Sequence, residues 1–293
     1  MVRENTISEQ NISILVSEIK KKKELRQVND NFVRENLLAY LQQNMKLIGS
    51  FSRKLNRKSA IYKKAIKEVR AKLRRMYGLF RVEEDVKVRE SLLNEWFNVG
   101  AREKEVILKK LLETHSSTKE RRLFYKKLYS HIFKITGKPK SILDLACGIN
   151  PFSVEFMNLK DIYYYAYDLN EGEIDLLNKY FNFKHSLNKN FLGKAEIFDL
   201  LQWEKLTDFE RVDVCFLFKI VDILDAGKGH KISELVIKNA PAKFVIVSFA
   251  MKTMSGKEMN APERKWMEWL CRRLGFSYTI LKFENEIFYV IKK

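Results

Sequence analysis

The sequence predicts a Rossmann-like α/β domain, with a mostly parallel seven-stranded sheet and a C-terminal antiparallel hairpin, preceded by a basic, all-helical N-terminal domain. Three observations lead to this prediction. All four prolines lie from residue 139 onward, and the surplus of positive charge lies entirely before residue 141. Only after residue 137 do short apolar runs alternate with helical segments, which is typical of βαβ units. The predicted domains are therefore 1–136 and 137–293.

Residues 1–136 are expected to be helical almost throughout, because they contain no proline and only three glycines, Gly49, Gly78 and Gly100. One stretch has apolar residues spaced by three, four and seven positions, which is typical of one face of an amphipathic helix. Its members are Leu55, Tyr62, Ile66, Val69, Leu73, Met76 and Phe80.

Positive charge is concentrated in the same region. The formal net charge is +18; residues 1–140 hold 34 basic and 16 acidic side chains, whereas residues 141–293 hold 21 of each. Eleven Lys/Arg lie between Arg53 and Arg75, against the single acid Glu68. Such a basic helix favours RNA as the partner, and for Lys20–Lys23 a solvated face remains the equal alternative. The predicted RNA contacts here are Arg53, Arg57, Lys58, Lys64, Lys67, Arg74 and Arg75.

Seven apolar segments after the boundary are candidate strands. Helical intervals separate the first five, which predicts parallel pairing, and the last two are close enough to form an antiparallel hairpin. The segments are Ser141–Leu145, Tyr163–Tyr167, Ala195–Phe198, Val212–Phe218, Phe244–Phe249, Tyr278–Phe283 and Ile287–Ile291.

Other classes of protein are disfavoured. The most apolar run, Phe244–Met251, has eight residues, whereas a spanning helix needs about 20, and the N-terminus shows no secretory signal. Three widely separated cysteines, Cys147, Cys215 and Cys271, argue against disulfides and a zinc site. We expect a cytoplasmic protein without bound metal, with Cys147 as a small buried residue rather than a nucleophile.

A nucleotide-like site is predicted where the first two strands end. The first strand runs into the glycine turn DLACGINP, and Asp168 follows Gly148 by twenty residues, at the end of the second strand. A carboxylate in this position is suited to ribose hydroxyls. The turn has one glycine rather than three, so S-adenosylmethionine suits the site better than a dinucleotide. The alternative is that Gly148 only makes a turn and Asp168 only caps a helix; Asp199, after the third strand, is either an adenine contact or an N-cap.

The segment HSSTKER, residues 115–121, precedes the predicted boundary. Ser117 and Glu120 have capping-box spacing, which predicts a helix start. Hydroxyls together with His115 and Arg121 at a helix start also suit an anion such as a methionine carboxylate. A purely structural role is the alternative.

Four ordered motifs, HSSTKER, DLACGINP, YDLN and SFAMKTMSGKE, resemble those of the aminoglycoside-resistance 16S rRNA methyltransferases over roughly residues 60–293. This resemblance implies an S-adenosylmethionine-dependent methyltransferase fold and methylation of guanine N7 in the decoding-site helix of small-subunit rRNA. It implies that Arg121 binds the methionine carboxylate near His115 and Thr118, Asp168 the ribose, and Asp199 with Leu200 the adenine. The complete predicted cofactor set is His115, Thr118, Arg121, Asp144, Ala146, Gly148, Asn150, Asp168, Leu169, Asp199, Leu200, Leu217 and Phe218.

Candidate contacts to the target nucleotide are Lys252, Ser255 and Lys257, after the fifth strand, with a solvated loop as the alternative. Lys219 either lines the pocket or simply ends a strand. The chain departs from the family pattern where Asp222 and Ala250 replace prolines, and its first fifty residues have no counterpart in the pattern.

Guanine N7 carries no proton, so we expect no catalytic general base; a monomer is expected to act on the small ribosomal subunit. Two other functions stay open: an inactive RNA- or ribosome-binding factor of the same fold, and a methyltransferase acting on tRNA or a small molecule.

Overall fold

The computed structural model describes residues 7–52, 55–77, 86–225, 229–252, 257, 259 and 262–293, without the side chains of 75–77. The chain divides into two compact units, Met1–Arg81 with Leu169–Glu171, and Val82–Asp168 with Gly172–Lys293. The division after Arg81 lies before the boundary expected at residue 137. The reason is that the helices between residues 86 and 136 pack their apolar faces against the sheet and form one core with it.

The first unit is helical. Ser8 caps its first helix, and the Asn29 side chain caps its second by accepting hydrogen bonds from two backbone amides. The predicted amphipathic face is confirmed at Tyr62, Val69 and Leu73, which are buried. Phe80 and the Met76 side chain lie outside the described residues. The helices are α1 Glu9–Lys20, α2 Asp30–Gln43, α3 Ile48–Phe51 and α4 Ala60–Tyr77.

In the second unit, helices cover both faces of a seven-stranded sheet. The helices are α5 Val86–Asn98, α6 Ala101–Glu113, α7 Ser116–Arg121, α8 Tyr125–Thr136, α9 Glu171–Leu187, α10 Val221–Leu224, α11 Lys231–Asn239 and α12 Lys265–Leu274. The strands are β1 Ser141–Leu145, β2 Ile162–Asp168, β3 Phe191–Ile197, β4 Val212–Phe218, β5 Ala242–Ala250, β6 Ser277–Lys282 and β7 Glu286–Lys292.

The strand order is β3-β2-β1-β4-β5-β7-β6; β7 pairs antiparallel with both β5 and β6, and the other pairs of described strands are parallel. The predicted fold class is therefore confirmed. Strands β1 and β4 match the predicted bounds, whereas β3 begins at Phe191, four residues before the predicted Ala195. The order reverses between β1 and β4, so a crevice is expected outside their carboxyl ends, where ligands of such sheets bind.

The sheet separates two hydrophobic cores, and successive residues of a strand pack in one core and then in the other. In β1, Ile142 packs with the helices that include α6 and α8, while Leu143 packs with α11 and α12. Cys147, Cys215 and Cys271 are free and buried, and burial raises the pKa of the Cys147 thiol. Within the described ranges, no helix has both the length and the apolar character needed to cross a bilayer, and no cluster of metal-ligating side chains occurs.

Candidate functional site

The glycine turn after β1 brings three predicted residues together. The Gly148 amide donates a hydrogen bond to Asp168 Oδ2 at 2.8 Å, which joins the ends of β1 and β2. Gly148 has φ of +51°, and a Cβ added there would lie 3.4 Å from His115 Nε2. The left-handed backbone favours glycine here, and a Cβ would be in van der Waals contact with the imidazole. Ala146 also has a positive φ, +53°.

Helix α7 begins two residues earlier than the sequence predicts. Its N-cap is His115, so the predicted capping box of Ser117 and Glu120 is wrong. The Ser117 hydroxyl instead lies 3.0 Å from His115 Nδ1, and Glu120 bonds the Lys219 ammonium. Buried Thr118 donates to the carbonyl of Leu112 at 2.5 Å and is also bonded to the His115 carbonyl. The hydroxyls of this segment therefore organise the helix start itself.

Arg121 is fully buried in an ion pair with Glu286, the first residue of β7. Its Nε lies 3.0 Å and 2.9 Å from the two carboxylate oxygens, and its guanidinium carbon lies 4.8 Å from the centroid of the Phe218 ring. Burial alone lowers the pKa of an arginine, but the Glu286 carboxylate outweighs this effect and raises the pKa of Arg121. The guanidinium is therefore a permanent buried cation.

Lys219 places a second cation beside this pair. Its Nζ bonds Glu120 and lies 3.5 Å from Glu286 Oε2. Its backbone has φ of +57°, and its amide donates to the carbonyl and hydroxyl oxygens of Ser248 at 3.1 Å and 3.0 Å. Ser248 also donates to Glu286. We call Arg121, Glu286, Lys219 and Glu120 the buried charge cluster; Lys219 thus both ends β4 and turns its side chain into the cluster.

Asp144 and Asn150 connect the turn to the same cluster. Asn150 donates to Asp144 Oδ2 at 2.8 Å and accepts from Arg121 Nη1 at 3.2 Å. Tyr164 also donates to Asp144 Oδ2, at 2.7 Å. Burial raises the pKa of Asp144 to about 6, although these donors partly oppose the shift.

The remaining predicted cofactor residues lie in different environments. Asp199 Oδ1 accepts from the Leu201 amide at 2.9 Å, which forms an Asx turn after β3. Gln202 is the N-cap of the short 3₁₀ helix Trp203–Asp208. Leu200 and Leu217 are buried in the core on the α11 and α12 side of the sheet. Leu169 falls in the first unit.

On the predicted target side, Lys252 is half-buried and Lys257 exposed, while Ser255 lies outside the described residues. The two departures from the family pattern have defined surroundings. Asp222 accepts from Arg264 Nη2 at 2.9 Å, and Ala250 pairs with Glu286 across β5 and β7. The Asp222 carboxylate thus ties α10 to the segment before α12.

The predicted RNA contacts of the first unit divide into two groups. Arg57, Lys67 and Arg74 line a cleft of about 580 Å³, whereas Lys58 and Lys64 are exposed outside it. Arg53 and the side chain of Arg75 lie outside the described residues. The sequence left the role of the lysine run Lys20–Lys23 open. Two lysines of this run, Lys21 and Lys22, line the cleft. The additional basic lining residues are Lys21, Lys22, Lys63 and Arg70.

Sequence reasoning missed Glu286, Glu120 and Ser248 as members of the site. One signal was available for Glu286: it is an acid at the head of the otherwise apolar strand EIFYVIK. A buried acid in such a position needs a cationic partner, but the sequence does not identify which cation it meets.

This sheet order, with a glycine turn after β1 and a carboxylate at the end of β2, defines a Rossmann-like methyltransferase domain. The structure is similar to that of the 16S rRNA methyltransferase RmtF in complex with S-adenosyl-L-homocysteine, with a TM-score of 0.73 and 21% identity, covering 98% of this chain and 99% of that chain. The 16S rRNA methylase RmtB has a TM-score of 0.69 and 21% identity, covering 98% and 100%.

The chain belongs to the ribosomal RNA methyltransferase (FmrO) family, whose model matches residues 53–290. A 16S rRNA (guanine(1405)-N(7))-methyltransferase of Proteus mirabilis is 32% identical over 248 residues, covering 78% of this chain and 83% of the relative. One of Micromonospora echinospora is 27% identical, covering 78% and 82%. The family resemblance predicted from the four motifs is confirmed.

Proposed function

We propose that this chain transfers the methyl group of S-adenosylmethionine to N7 of a guanine in the decoding-site helix of 16S rRNA. The family supports rRNA methylation, and the relatives from Proteus mirabilis and Micromonospora echinospora are named for guanine N7. The observation that carries the cofactor assignment is the Gly148 to Asp168 hydrogen bond. It holds a carboxylate beside the single glycine of the turn, at the carboxyl edge of the sheet.

The residues of the second unit fit this cofactor. Asp168 has the charge and position to accept hydrogen bonds from ribose hydroxyls, and Asp199 with Leu200 is proposed for the adenine. Arg121 is proposed for the methionine carboxylate, and its pairing with Glu286 keeps the guanidinium charged and oriented. S-adenosylmethionine supplies an electrophilic methyl group on a sulfonium.

The chemistry requires alignment rather than proton transfer. Guanine N7 is an unprotonated acceptor, so no side chain has to remove a proton and orientation supplies the catalysis. A base inside a duplex is inaccessible, so the target helix must be distorted or the guanine extruded. Lys252 and Lys257 are proposed to hold the displaced nucleotide, and Arg57, Lys67 and Arg74 the rRNA phosphates.

The test is to incubate the protein with isolated small subunits and methyl-labelled S-adenosylmethionine, and then to map the modified nucleotide. We expect label at one guanine N7 in the decoding-site helix. Asp168→Asn should lower cofactor affinity, measured by calorimetry. Asp161→Asn, an exposed position just before the other end of β2, is the matched control. Label only in tRNA would contradict the substrate, and undetectable cofactor binding by the wild type would favour the inactive RNA-binding alternative.

A further inference from the structure

The outer side of α11 and α12 contains a cleft of about 590 Å³ that the proposed function does not use. Trp269 lines this cleft, and 75% of the surface of Trp269 is exposed. Met267, Leu270 and Cys271 attach α12 to the core, so Trp269 points away from the apolar contacts that hold this helix. We call this surface the Trp269 face. It is lined by His230, Glu234, Trp266, Trp269, Leu270, Arg272 and Arg273.

The floor of the Trp269 face is aromatic and ordered by stacking. The rings of His230 and Trp266 lie 3.9 Å apart between centroids and are inclined by only 3°. Phe249, in β5, contacts Trp266 edge-on at 6.0 Å. A flat aromatic surface beside an exposed indole is suited to planar ligands, because bases stack on such rings irrespective of their sequence.

Positive charge flanks the indole along α12. Lys265 precedes Trp269 by four residues and Arg272 follows it by three, so all three side chains lie on one side of the helix. Arg273 is paired with Glu234 at 2.5 Å. Among the described residues, Lys265 and Arg272 form no salt bridge; Lys265 interacts electrostatically with Glu263, whose carboxylate pairs with Lys282. Bases and phosphates alternate along a single RNA strand, so an aromatic ring between two cations can stack on a base and bind the phosphates on either side of it.

A second copy of the chain fits this face poorly. In a two-fold interface the same patch meets itself, which would bring Lys265 and Arg272 of both copies together.

We propose that the Trp269 face binds a single-stranded segment of ribosomal RNA, with one base stacked on Trp269 and phosphates held by Lys265 and Arg272. This inference rests on the proposed function. It adds an RNA contact within the methyltransferase domain, made by residues other than those of the buried charge cluster.

The test measures the affinity of the full chain for isolated small subunits by filter binding, alongside cofactor affinity by calorimetry. Trp269→Ala should weaken subunit binding about tenfold, the amount expected for one lost stacking contact, with cofactor affinity unchanged. Trp269→Phe should restore most of the binding. Tyr163→Ala, which removes a ring that is 50% exposed in β2, is the matched control. Arg272→Ala should lower the slope of log affinity against log salt by about 0.7–0.9.

Wild-type affinity in both Trp269→Ala and Arg272→Ala would overturn the inference. A photo-crosslinking benzoylphenylalanine in place of Trp269 should crosslink to rRNA. Crosslinks to ribosomal protein alone would also overturn the inference. Sedimentation that shows a wild-type dimer and a monomeric Trp269→Ala variant would assign the face to a second copy instead. Binding is measured directly, so failure of guanine methylation by the wild type would contradict the proposed function without changing these readouts.

Discussion

Arg121 and Glu286 are separated by 165 residues in sequence, yet they form a fully buried ion pair with an Nε to Oε2 distance of 2.9 Å. This pair connects α7, in the segment HSSTKER, to the first residue of β7. It gives Arg121 a protein carboxylate as partner, and a cofactor carboxylate is proposed to share the same cation with Glu286. Lys219 lies 3.5 Å from Glu286 and is a second cation beside the same carboxylate.

Removing the Glu286 carboxylate should damage both stability and cofactor binding. Glu286→Ala leaves Arg121 buried without its partner, and loss of one member of a buried pair costs about 3–5 kcal/mol. Urea unfolding measures this loss, and calorimetry at a temperature where the variant remains folded measures cofactor affinity.

Glu286→Gln separates these two effects, because it retains the shape and one acceptor oxygen but removes the charge and replaces the other acceptor with a donor. We expect an intermediate loss of stability. Glu284→Gln, two residues earlier and exposed, is the control and should match the wild type. A Glu286→Ala variant as stable as the control would show that the pair is dispensable.

Substitution of Gly148 should impair cofactor binding beyond its effect on folding. Gly148→Ala places a Cβ at φ of +51° and 3.4 Å from His115 Nε2. The left-handed backbone costs about 1–2 kcal/mol, and the added methyl group takes up space beside His115 in the predicted cofactor site. Gly137→Ala is the matched control because Gly137 has φ of +77° with no atom within 4 Å of the added Cβ. Equal loss of cofactor affinity in both variants would contradict a role for the close approach.

Asp144 should make stability fall as pH rises from about 4 to 6. Burial raises the pKa of Asp144 from 3.8 to about 6, so in this window the folded protein keeps a proton that the unfolded chain has released. The contribution changes by at most about 1.4 kcal/mol per pH unit and is constant above the folded-state pKa.

Asp144→Asn isolates this titration, because other carboxyl groups act equally in both proteins. The unfolding free energy of Asp144→Asn minus that of the wild type should increase between pH 4 and 6. A difference that does not vary with pH would show that the pKa of Asp144 is not raised by folding.

Salt should weaken subunit binding steeply and cofactor binding hardly at all. Residues 1–81 contain 20 basic and 7 acidic side chains, and each phosphate contact contributes about 0.7–0.9 to the slope of log affinity against log salt. Replacing both Arg57 and Lys67 by Ala should lower that slope by about 1.4–1.8. Lys189→Ala, an exposed change beside the amino-terminal end of β3, is the control. Equal salt dependence for cofactor and subunit would contradict this separation of roles.

The sequence by itself determined the fold class, the order of the strands along the chain and the family. These features depend on local patterns: apolar runs separated by helices, the face of α4 that buries Tyr62, Val69 and Leu73, and a glycine turn followed twenty residues later by Asp168. Such patterns are readable because each is created by residues close together in the chain.

Only the tertiary structure decided which charges meet. Antiparallel insertion of β7 beside β5 brings Glu286 next to Arg121 and Lys219, residues more than sixty positions away. Long-range pairing also explains why the predicted capping box is wrong. Glu120 bonds Lys219, 99 residues away, instead of forming a capping box with Ser117. A buried ion pair depends on strand neighbours and on shielding from water, and neither of these is encoded in the spacing of residues.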